Sequence, residues 1–112
     1  MTDRKQALAD LLAKLEVGER PWREACYNDA LGWSESKMLL RAFEGSLGAA
    51  KALHAAVLPG WTVNIDFWMG SNSSAKVMLD HGGDEGVSGL DECPARAWII
   101  AQIKALIAME GE

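Results

Sequence analysis

Hydrophobic and polar positions repeat with two different periods along this chain. Near its start Leu8, Leu11, Leu12 and Leu15 recur at helical spacing behind a capping residue at Thr2 or Asp3, and Gly18 follows as a stop. This pattern predicts a helix over about residues 3 to 17. Pro21, Gly32 and Gly45 then break residues 19 to 45 into short pieces. Ala25, Cys26, Asp29 and Ala30 read as one or two turns, and Met38, Leu39, Ala42 and Phe43 as a short helix after Ser34 or Ser36. Ser46 is an N-cap for the alanine-rich run Leu47 to Leu58, which ends at Pro59-Gly60. Leu47, Ala50, Leu53, His54 and Val57 share one side of that helix, and its alanines allow a second backbone to come close.

From Trp61 the period becomes two. Trp61, Val63, Ile65, Phe67 and Met69 point one way, and Thr62, Asn64, Asp66 and Trp68 point the other, as in a half-buried strand. Gly70-Ser71-Asn72-Ser73 is a turn, after which Ala75, Val77 and Leu79 alternate with Lys76, Met78 and Asp80, so the two runs form an antiparallel hairpin. Residues 81 to 92 hold Gly82, Gly83, Gly86 and Gly89 together with Asp84, Glu85, Asp91 and Glu92. That segment is either a long loop or a loop with one short edge strand around Gly86 to Gly89. Pro94 opens a final helix whose Trp98, Ile99, Ile103, Leu106 and Ile107 form an apolar stripe, widened by Ile100, that runs to about Met109.

The expected architecture is an α+β fold, a two- or three-stranded antiparallel sheet packed by flanking helices, in the order helices, β-hairpin, C-terminal helix. Helices laid on a single face of so small a sheet bury the Trp61 to Met69 stripe and leave Thr62, Asn64, Asp66 and Trp68 outside. Trp68 and Met78 of the neighbouring strand, with Asn64 and Asp66, are therefore the candidate interface for a second copy or another protein partner.

Composition narrows the function classes. At 112 residues the chain fits one domain, and 49% hydrophobic against 24% charged residues places it among globular chains rather than disordered ones. Eleven Lys and Arg against sixteen Asp and Glu give a net charge of -5, so no overall basic field exists to hold a phosphate backbone, and nucleic acid is not an expected partner. Two cysteines, Cys26 and Cys93, do not make a disulfide framework and fit a reducing compartment. The charged N-terminal stretch is unlike an apolar signal core, and no run approaches membrane-spanning length, so a cytoplasmic location is expected.

The run Gly45-Ser46-Leu47-Gly48-Ala49-Ala50-Lys51-Ala52-Leu53-His54, continued by Val57-Leu58-Pro59-Gly60-Trp61, then a two-strand stretch and Pro94-Ala95-Arg96-Ala97-Trp98, resembles the phage ABA sandwich domain. This family of small phage and prophage proteins takes its name from a layered helix, sheet, helix architecture and has no established activity. The resemblance covers about the last two thirds of the chain and, more weakly, the Ala9 to Leu15 helix. It implies a phage or prophage accessory protein working in a bacterium or an infected cell. It carries over no catalytic residues, because Trp61 and Pro94 are architectural positions.

Candidate chemistry is sparse. Asp80-His81-Gly82-Gly83-Asp84-Glu85, with Asp91, Glu92 and Cys93, contains metal-ligand types but lacks the spacing of a calcium loop, and a solvated glycine-rich loop is the simpler reading. Cys93 stands at a helix start, where amides and the helix dipole activate thiols, yet neither His54 nor His81 is placed beside it by sequence. His54 reads as a packed or boundary histidine. Trp22, Trp33, Trp61, Trp68 and Trp98 lack the interleaved basic residues of a base-stacking surface and read as anchors. The expectation is a non-enzymatic macromolecule-binding module without cofactor or metal, acting as a homodimer. An acidic inhibitor of bacterial defence, of the anti-CRISPR kind, and a small metal- or thiol-dependent enzyme on Cys93 and the acidic loop are the alternatives.

Overall fold

The computed structural model describes residues 4–19, 33–68, 74–80 and 86–110. Among the described residues four helices and three strands follow one another as α1 (Arg4–Glu16), α2 (Trp33–Phe43), α3 (Leu47–Val57), β1 (Thr62–Trp68), β2 (Ser74–Asp80), β3 (Val87–Asp91) and α4 (Pro94–Glu110). The short turns Ala25 to Ala30, the Gly70 to Ser73 turn and residues 81–85 lie outside the described residues.

Local signals explain most of these boundaries. α1 buries Ala7, Leu8, Leu11 and Leu15, and the amide of Gly18, at φ +77°, bonds back to Leu15 to end it. α2 turns directly into α3 at Gly45 and Ser46, where the Ser46 amide returns to the Arg41 carbonyl. The Ser46 side chain meanwhile accepts from the Ala49 amide at 3.1 Å, so one residue closes one helix and caps the next. On α3, Ala50 and Leu53 are buried and His54 and Val57 half-buried, whereas Leu47, expected on the same side, is 44% exposed at the first turn.

The sheet is antiparallel with strand order β1-β2-β3. Val63, Leu79 and Val87 stand in one cross-strand row, and Ile65, Val77 and Gly89 in the next, all on the inner face. The region around Gly86 to Gly89 thus forms a genuine third strand, reaching from Val87 to Asp91. Burial within the sheet is uneven. Ala75, Val77 and Leu79 of β2 are fully buried, while Val63 and Ile65 of β1 are half-buried. The difference arises because α4 lies over β3 and β2 rather than over β1.

α4 is the centre of the molecule. The stripe expected on it extends around the helix, for every residue from Ala97 to Ile103 is buried, and so are Ala105 and Leu106. A helix apolar on all sides needs cover on all sides. β2 and β3 cover one side of α4, and α1, α2 and α3 pack against the rest, so the layers run sheet, α4, outer helices. The closest approach is at Gly89 on β3. A Cβ there would collide with the Ala97 carbonyl oxygen, and it would lie 2.7 Å from the Ala101 nitrogen and 3.1 Å from the Ile100 Cβ. Glycine on the strand and alanines on the helix bring sheet and helix nearer than ordinary side chains allow.

Polar contacts also join α2 and α3 to α4. Arg96 donates its Nε–H to the Phe43 carbonyl at the end of α2 at 2.7 Å, and its guanidinium lies 4.2 Å from the Phe43 ring centroid. Gln102, fully buried, donates from Nε2 to the Ala50 carbonyl of α3 at 3.0 Å, leaving its Oε1 without a partner. No helix among the described residues is long and apolar enough to cross a membrane.

Candidate functional site

The register of β1 on β2 and of β2 on β3 defines the sheet's outer face. Thr62 stands opposite Asp80, Asn64 opposite Met78 and Asp66 opposite Lys76, while on the far side of β2 Met78 faces Ser88 and Lys76 faces Leu90. Because the helices lie over the inner face, these positions look outward, and Thr62, Asn64, Asp66, Met78 and Leu90 are exposed. The two apolar residues among them stand well clear of the core, Met78 at 41% and Leu90 at 62% exposure. Polar groups frame them. The Thr62 hydroxyl donates to the Asp80 carbonyl across the strand pair at 3.2 Å, and Asp66 and Lys76 put opposite charges in facing positions.

Three of the four residues singled out from sequence, Asn64, Asp66 and Met78, therefore share this face. The Trp68 backbone pairs with Ser74 at the end of the same strand, in step with Asn64 and Asp66. The Trp68 side chain lies outside the described residues. Leu90 and Ser88 were not anticipated. Leu90 was visible as one of two strongly apolar residues in the acidic segment, but its facing depends on a β3 register that the segment alone does not specify.

Other candidates take part in contacts within the fold. The Trp98 indole N–H donates to His54 Nδ1 at 3.3 Å, and His54 Nε2 lies 2.9 Å from the Trp61 carbonyl oxygen. An indole nitrogen only donates and a carbonyl only accepts, so the proton of the imidazole sits on Nε2. His54 thereby ties α3 to α4 and to the start of β1. Ahead of α4, the Asp91 carboxylate accepts from the Cys93 amide at 2.9 Å in an Asx turn, and the Cys93 carbonyl accepts the first helical bond from the Ala97 amide. Cys93 is a half-buried free thiol.

Of the acidic segment, Asp80, Asp91, Glu92 and Cys93 are described, whereas His81, Asp84 and Glu85 lie outside the described residues, as does Cys26. Among the described residues no three His, Cys, Asp or Glu side chains gather as a metal-binding group. The outer face of the sheet thus presents two exposed apolar side chains, Met78 and Leu90, among polar neighbours, with described helices on the opposite face only. No family model matches the chain, and no curated protein or solved structure matches it either.

Proposed function

We propose that this chain is a non-enzymatic binding module, a small accessory protein of the phage or prophage type, and that it engages a macromolecular partner through the outer face of its sheet, with a second copy of itself as first choice. The carrying observation is the exposure of Met78 and Leu90 beside Asn64 and Asp66 on a sheet face that no described helix covers. Apolar side chains grouped in a polar surround are the usual composition of a contact patch. The non-enzymatic reading draws on how the described imidazole is used: both His54 nitrogens are bonded within the fold. The phage assignment rests on the likeness of the Gly45 to Trp61 and Pro94 to Trp98 runs to the ABA sandwich domain.

Size-exclusion chromatography with light scattering at micromolar concentration tests the self-association. The expected species is a dimer that Met78→Glu or Trp68→Glu converts to a monomer, with circular dichroism showing both variants still folded. A wild-type monomer at every concentration removes the homodimer, and variants that dimerise as wild type does remove this face.

A further inference from the structure

We draw no further inference here: the strongest candidate, the edge strand β1 with Val63 and Ile65 half-buried where α4 reaches over β2 and β3 instead, is an apolar strip that the described residues cover only in part, and nothing in the structure shows what covers the rest.

Discussion

The rings of Trp98 and His54 meet at a tilt, their centroids 5.8 Å apart and their planes at 58°, so that the indole N–H reaches Nδ1 of the imidazole. Trp98 is buried and belongs to α4, and His54 is half-buried on α3, 44 residues earlier in sequence. Through Nε2 the same imidazole holds the Trp61 carbonyl, so three parts of the chain converge on one side chain.

Removal of that side chain takes away the acceptor of the Trp98 indole N–H and a partner of the Trp61 carbonyl. His54→Ala is expected to lower stability by about 2 to 3 kcal/mol, the penalty of leaving partly buried polar groups unpaired with some lost packing. Urea denaturation of His54→Ala, Trp98→Phe and the double variant forms a cycle whose coupling energy should be about 1 kcal/mol. Additive single effects would mean that the indole and imidazole do not interact.

The two glycines Gly89 and Gly48 should respond to alanine with opposite signs. At Gly89 the new methyl group meets the backbone of α4, which cannot swing aside, and a loss of at least about 2 kcal/mol is expected. At Gly48, in the first turn of α3, it meets only the Ser46 Oγ at 3.9 Å, and the better helix former should add about 0.5 kcal/mol. Paired melting curves check both, and a tolerated Gly89→Ala would contradict the close packing of β3 on α4.

Gln102 combines one good hydrogen bond with one buried oxygen that has none. Gln102→Met keeps the length of the side chain and takes away the donor and the orphaned acceptor together, while the Ala50 carbonyl keeps its place in the α3 ladder. This variant is expected to be more stable than wild type by about 1 kcal/mol, and Gln102→Glu, which puts a charge in the same place, less stable by more than about 2 kcal/mol. Chemical denaturation midpoints rank the three, and a destabilised Gln102→Met would show that the amide contributes more than its unpaired oxygen costs.

Arg96→Lys separates charge from shape. Lysine keeps the positive charge near the end of α2 but has neither the Nε–H aimed at the Phe43 carbonyl nor a flat group to lie over the Phe43 ring. A loss of about 1 to 2 kcal/mol is expected, against a near-neutral result if charge alone mattered.

Beyond the end of α1, the Lys14 ammonium bonds the Glu19 carboxylate at 2.8 Å and lowers its pKa below the ordinary carboxylate value, first through the hydrogen bond and then through charge. A carboxylate with a lowered folded pKa adds stability above its unfolded pKa, and that stability disappears as pH falls through the folded value. The pair is exposed, so the effect is small and weakened by salt. Glu19→Gln should therefore lie slightly below wild type at neutral pH in low salt and converge with it in acid, as read from thermal melts across that range. A gap that persists in acid would assign the difference to something other than this pair.

Elements with strong local signals were legible from sequence. Ser46 with Pro59-Gly60 brackets α3, the alternation after Trp61 marks β1, and Pro94 begins α4, each through chemistry contained within a few residues. β3 was half legible for a physical reason. Its centre is Gly89, which has no side chain because the backbone of α4 occupies the space one would need, so the residue most important to the packing of the strand interrupts its alternation. The all-round burial of α4 was harder still. A stripe can be counted along one helix, but cover on every side is a property of the elements around it, and those lie far away in the chain. On the outer face, Asn64, Asp66 and Met78 could be assigned by strand parity, whereas Leu90 required the register of β3 on β2.

The placement of α4 also affects how the protein is made. Each described element that α4 touches precedes it in the chain. A nascent polypeptide that has emerged from the ribosome only as far as residue 93 therefore exposes a hairpin and several helices whose apolar sides lack their common partner. The cover that α4 gives comes only once the segment after Cys93 has been translated, and until then the apolar faces it will cover are open to chaperones and to neighbouring chains.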